Sequence, residues 1–265
     1  MNLHFRRACS IGIVWGLCLT ASASGQRAVE KKPAAKPTAK PAVYDQASAR
    51  EKLKALKAVI ETNGSGQVDR VDLSLTKVTD DDLAALKALP ALEELSLART
   101  NVSDAGMTHV ARLPRLERLH LDETTNTDAG LAALSPLVQL ETLSLSKSKV
   151  TGEALKQLSG FVSLAVLNLS DSPVRDDALA HLAPMTSLYT LALKDTKITG
   201  AGLKHINKCK KLNVINLVGC DIDDESLLDL KDLDNLRILR VSEEKITEEG
   251  ADALKEFLPS AAVFR

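Results

Sequence analysis

A chain of 265 residues with 34 basic and 35 acidic side chains carries a formal net charge of −1, and 45% of its residues are hydrophobic. That share supports a sizeable core, but aromatics make up only 3% and the sole tryptophan, Trp15, lies near the N-terminus, which argues against an aromatic binding platform. Setting aside two arginines in 1–25, and five basic and one acidic residue in 26–43, leaves 27 basic and 34 acidic residues, a balance of −7; so acidic a body argues against nucleic acid as a partner, whose binding needs clustered Lys and Arg.

Residues 1–25 have the pattern of an export signal. Arg6 and Arg7 form a short positive region, 8–20 (ACSIGIVWGLCLT) an apolar one, and Ala21-Ser22-Ala23 or Ala23-Ser24-Gly25 a small-residue cleavage site. The apolar run is too short to span a membrane comfortably. The expected location is therefore exported: periplasmic, cell-surface or secreted. Residues 26–43 (QRAVEKKPAAKPTAKPAV) form an extended Ala/Lys/Pro linker, whose lysines keep it soluble and offer weak contact to an anionic surface.

Residues 44–67 are expected to hold a capping helix. Ser48-Ala49-Arg50-Glu51 fits a capping box, Leu53, Leu56, Val59 and Ile60 share one helical face, and Asn63-Gly64 supplies a stop. The spacing predicts a helix over 49–62 that covers the open end of whatever follows. Gly64-Ser65-Gly66 lacks the lysine of a phosphate loop and is expected to be a turn.

From residue 68 the chain rewrites one 24-residue unit. The clearest copy is 92–115, LEELSLARTNVSDAGMTHVARLPR, with a looser version at 68–91 and further copies from 116, 140, 164, 188, 212 and 236. The shared frame is L-x-x-L-x-L-x-x-T-x-V-T-D-x-G-L-x-x-L-x-x-L. Leu95 and Leu97 alternate with polar residues as in a strand, whereas Met107, Val110 and Leu113 recur at helical spacing. Thr79, Ser103, Thr127, Thr151, Thr199, Thr247 and Asp223 stand where a helix cap belongs; Arg175 does not fit. The Asp or Glu that commonly follows suits a helix N-terminus. Strand then helix, always in the same direction, requires a parallel sheet with helices on the opposite side, stacked as a solenoid.

This pattern resembles the leucine-rich repeat family, in particular the 24-residue T-D-x-G-L variety of exported bacterial proteins, planctomycetes among them. It is also similar to the repeats of F-box substrate receptors, although no F-box-like segment stands in 26–67. The resemblance covers 68–265 and implies an α/β solenoid of about eight repeats plus caps, with a concave parallel sheet that usually binds a protein or peptide. Consistent with a terminal cap, Glu244 and Ala251 break the frame, and 260–265 reads as a further half-coil with Val263 directed inwards.

No pattern for a catalytic group, cofactor or metal stands out. Cys209 and Cys220 occupy apolar and Thr-type slots of the frame and are expected to be buried thiols rather than a disulfide. His109, His181 and His205 share one helical register, whereas His120 faces out from the sheet with Arg118 and Asp122. The column Thr76, Thr100, Thr124, Ser148, Ser172 and Thr196 points inwards, where the resemblance implies a hydrogen-bonding ladder. Asn126 replaces the usual Val or Ile and is expected to bond nearby backbone.

Outward residues remain as candidates. Arg99, Glu123, Lys147, Asp171 and Asp195 form one column, its first four members alternating in sign. Ser96, His120, Ser144, Asn168, Ala192 and Asn216 form a small polar one beside it. The expected partner-binding set is Arg99, Arg118, His120, Asp122, Glu123, Ser144, Lys147, Asn168, Asp171 and Lys194. The leading expectation is an exported, non-enzymatic scaffold; the alternatives are a structural envelope protein tethered by its linker, an F-box-type receptor homologue, or an enzyme using His120.

Overall fold

The computed structural model describes residues 44–265, so the expected export signal and the expected linker lie outside the described residues. Ten strands form one sheet in strict chain order: β1 (Val59–Thr62), β2 (Val68–Asp72), β3 (Glu94–Ser96), β4 (Arg118–His120), β5 (Thr142–Ser144), β6 (Val166–Asn168), β7 (Thr190–Ala192), β8 (Val214–Asn216), β9 (Ile238–Arg240) and β10 (Ala262–Phe264). From β2 onwards every pairing is parallel. Leu95 lies beside Leu119, and Leu119 beside Leu143, so the register advances one 24-residue coil per strand.

The leucine frame explains the packing. Residues such as Leu95, Leu97, Met107, Val110, Leu113 and Leu116 are shut off from solvent and join one core that runs the length of the stack. A coil this narrow has no apolar interior of its own; each leucine is covered by the same leucine of the next coil. Phe161 is the largest buried side chain. Among the described residues no helix is long and apolar enough to cross a membrane.

The N-terminal cap differs from the sequence expectation. Its helix is α1 (Gln46–Ala55), and the capping box pairs Asp45 with Ser48, not Ser48 with Glu51. Lys57, at φ 65°, ends the helical run, and 59–62 leaves it to become β1, antiparallel to β2. The β-branched Val59, Ile60 and Thr62 favour that outcome, and the hairpin covers an otherwise open sheet edge. Asn63, expected to stop a helix, instead closes the hairpin by accepting from the Ser65 and Gln67 amides. At the other end β10 adds the expected half-coil, with Val263 packed on the core.

On the helix side, α2 (Asp104–Val110), α3 (Asp128–Ala133), α4 (Asp176–Leu179), α5 (Gly200–Ile206), α6 (Asp224–Leu227) and α7 (Glu248–Phe257) are α-helical at least at their start. Asp81–Ala88 and Glu153–Leu158 are instead 3₁₀ turns. Ser103, Thr127, Thr199, Asp223 and Thr247 cap as expected. Thr79 and Thr151 do not: Asp80 and Gly152 hold the cap positions of those turns, with no side-chain bond.

The aspartate of the frame does more than favour a helix start. Asp80, Asp104, Asp176 and Asp224 each accept the backbone N–H and the hydroxyl of the Ser or Thr one coil later, at 2.6–2.9 Å. The glycine of T-D-x-G makes room for this clamp: a Cβ on Gly106 would lie 2.5 Å from Asp80 Oδ1 and 2.7 Å from Val102 Cγ1. Gly130, Gly202 and Gly250 face Asp104, Asp176 and Asp224 in the same way. Where the aspartate is replaced by Gly152 or Gly200, the facing residue carries a side chain, Ala178 or Ser226, that fills the space.

Candidate functional site: the concave sheet

Three columns of side chains leave the sheet on its concave side. The first runs through Arg70, Glu94, Arg118, Thr142, Val166, Thr190, Val214 and Ile238. Its first three members are ion-paired, Arg70–Glu94 at 3.3 Å and Arg118–Glu94 at 3.0 Å, with Glu117 also 3.4 Å from Arg118. The hydrogen bond to Glu94, followed by the charges of the neighbouring glutamates, raises the Arg118 pKa further. Val166, Val214 and Ile238 are half-buried on the same face.

The second column is the small polar one expected: Ser96, His120, Ser144, Asn168, Ala192 and Asn216 lie side by side on successive strands. Ser144 is buried and donates to Asp122, which also accepts the Ser146 amide at 3.0 Å; Asn168 Nδ2 donates to Ser144 at 3.1 Å. Asp122 is thus bound to the next strand and not to His120. His120 is half-exposed, and its side chain has no hydrogen-bond partner among the described residues. The arrangement of Arg118, His120 and Asp122 therefore contains no carboxylate–imidazole pair.

The alternating column sits differently from the sequence expectation. Arg99, Glu123, Lys147, Asp171 and Asp195 are not strand residues; they occupy the turn just beyond each strand, with φ of 53–58°. Such left-handed backbone is uncommon for residues other than glycine, and Gly219 takes the same place at φ 77°. The turn follows from the ladder, because the Arg99 amide still donates to Asp122 O before the chain bends inwards. Glu123 accepts from Arg99 at 3.0 Å and from Lys147 at 3.2 Å. These hydrogen bonds, Arg99 first, hold its carboxyl below the usual range. The alternation stops there: Asp171 has no ion pair among the described residues, while Lys194 pairs with the adjacent Asp195 at 3.1 Å.

The inward Thr/Ser column mainly closes its own turns, and only Thr196 also reaches the next coil, at Cys220 Sγ, 3.5 Å away. The hydroxyls of Thr76, Thr100, Thr124, Ser172 and Thr196 donate to the carbonyl three residues earlier. Asn126 is buried with Nδ2 on Thr124 Oγ1 at 3.0 Å, and its Oδ1 has no partner, contrary to the expected bond to backbone. Cys209 and Cys220 are free and buried. Burial pushes the Cys209 thiol up to about 11 and raises Cys220 as well, so both are protonated at neutral pH and poor nucleophiles. His109, His181 and His205 lie half-buried on the helix side, and no cluster of three or more metal-ligating side chains occurs among the described residues.

The residues missed from sequence are Val166, Thr190, Val214 and Ile238. They share the register of Glu94 and Arg118, so the 24-residue spacing that exposed the charged columns also marks them. They divide the first column in two: charged and ion-paired at Arg70, Glu94 and Arg118 on β2 to β4, uncharged and β-branched from Thr142 to Ile238 on β5 to β9, with charges beside that strip at Lys194, Asp195 and Arg240.

Comparison with known proteins agrees with this architecture. The family pattern described as Leucine Rich repeat matches residues 208–231, one repeat of the array. The chain is similar in structure to internalin C2 of Listeria monocytogenes, 23% identical over 75% of this chain and 93% of that one, with a TM-score of 0.51. It is also similar to a leucine-rich-repeat protein of Leptospira interrogans, 17% identical over 68% of this chain and half of that one, at 0.50. Comparison with curated proteins returns no match. The fold is a leucine-rich-repeat solenoid.

Proposed function

We propose that this chain is an exported, non-enzymatic scaffold whose concave sheet holds a protein or peptide. The observation that carries the proposal is the division of that sheet. A run of half-buried β-branched residues from Val166 to Ile238 lies beside a paired charge lattice from Arg70 to Lys147. An apolar strip next to oriented charges suits a partner that buries small side chains at one end and is held in register at the other. The pattern of residues 1–25 supports export, and the basic 26–43 segment would keep the array clear of the surface it leaves.

The test is capture from the native envelope with residues 26–265 as bait. Proteins held by the concave face are expected to be lost with Val214→Glu, and with Glu123→Lys combined with Lys147→Glu, but kept with the helix-side control Lys204→Glu. Equal recovery by all four baits would overturn the proposal and favour a structural envelope role with a passive sheet.

A further inference from the structure

One junction of the solenoid is built unlike the rest. Residue 152, where the clamp aspartate belongs, is glycine at φ 101°. The Ser or Thr that would bond it one coil later is replaced by Arg175, which caps α4 with no side-chain bond. Pro173 stands where Lys149, Lys197 and Asp221 donate a backbone N–H to the preceding coil, at 3.0–3.1 Å, and proline has none to donate. Among the described residues, no hydrogen bond or ion pair joins 149–163 to 173–187.

Other junctions are tied. Thr127 bonds Asp104, Lys197 bonds the Val174 carbonyl, and Thr247 bonds Asp224. The sheet side of the exceptional junction is intact, with Leu145 N–H on Asn168 O and Lys147 N–H on Ser170 O, both at 2.8 Å. The core also passes through it unbroken. On its helix side this junction therefore depends on apolar packing, which has no fixed direction.

We propose that the helix side between 149–163 and 173–187 is the hinge of the array, the place where neighbouring coils part first. In a stack whose coils touch only their neighbours, opening begins at the weakest interface. With the sheet still paired, spreading the helix side turns the two concave regions towards each other. The hinge thus lies at the division between the charged lattice and the Val166–Ile238 strip and sets the angle between them. The inference stands whether or not the sheet binds a partner.

Hydrogen exchange on the full chain tests it. Amides of 153–158 and 176–182 are expected to exchange about tenfold or more faster than those of α2 and α5. Gly152→Asp with Arg175→Thr and Ala178→Gly rebuilds the clamp and is expected to slow 176–182 to the rate of its neighbours. Pro173→Thr, which restores one donor without altering the packed side chains, should slow the same amides in part and carries the test if the triple variant does not fold. Uniform exchange across all junctions, or folded variants that leave 176–182 unchanged, would overturn the hinge.

Discussion

Carboxylates recur every 24 residues on both sides of this solenoid, yet the two sets behave differently. On the helix side Asp80, Asp104, Asp176 and Asp224 are half-buried, and each receives two donors from the next coil. On the concave rim Glu123, Asp171 and Asp195 are exposed on left-handed turns, and only Glu123 reaches across coils, through flexible Arg and Lys side chains. Periodicity alone does not separate a structural charge from one free to meet a partner. What separates them is whether the acceptor faces fixed backbone donors or mobile ones.

The largest effect is expected from breaking a clamp. Asp104→Ala leaves the Thr127 amide without its acceptor and should lower stability by about 2–3 kcal/mol, read from urea midpoints. Gly106→Ala tests the same clamp from the other side: its Cβ intrudes on Asp80 and Val102, at a cost of about 1–3 kcal/mol. An Asp80→Ala background should recover part of that loss, and equal costs in both backgrounds would show that the glycine does not serve the aspartate.

Asn126→Val goes the other way. Valine fits the column of Val102 and Val150, removes the orphaned Oδ1, and should stabilise by about 1 kcal/mol. Next comes the tie between cap and first coil, where Lys52 lies 2.7 Å from Asp82. Burial raises the Asp82 pKa, but hydrogen bonds from Lys52 and Thr79 outweigh it and leave the carboxyl below its ordinary value. A lowered carboxylate stabilises fully above its unfolded pKa and loses that contribution as pH falls through the folded one. The stability gap between wild type and Lys52→Met should therefore be flat above about pH 5 and shrink in more acid solution. The smallest effect belongs to the rim: Glu123→Ala should barely move the midpoint, and added salt should erase the difference.

Much of the fold was legible because strand placement depends on residues two apart. Leu95 and Leu97 mark β3 directly, and their counterparts mark the strands that follow. Junction chemistry was not legible in the same way, since Asp104, Thr127 and Gly130 form one device that crosses from one repeat into the next. Reading Asp104 within its own repeat shows only a helix-start acid. The helix expected over 49–62 is present only to Ala55, for a related reason: Leu53, Leu56, Val59 and Ile60 satisfy helical spacing, but β2 offers a pairing edge that no local pattern contains. At the candidate site the outward columns were found, but the left-handed turn under Arg99 and Glu123 was not, because charged residues there give no glycine signal. Val166, Val214 and Ile238 give no separate signal in the sequence, because a β-branched residue at an outward strand position is what strand propensity alone would place there.

The matched aspartate and glycine also constrain how such an array can grow. A coil offering Asp104 and receiving through Gly106 can be copied in tandem, each new copy fitting the last. A coil offering Asp176 but receiving through Ala178 is copied less well, since its duplicate would set carboxylate against methyl and loosen the clamp. Asp128 already faces Ala154, and its contacts to the Thr151 amide lengthen to 3.2–3.3 Å. Lengthening by gene duplication thus gives a tight clamp at some coils and a loose one at others.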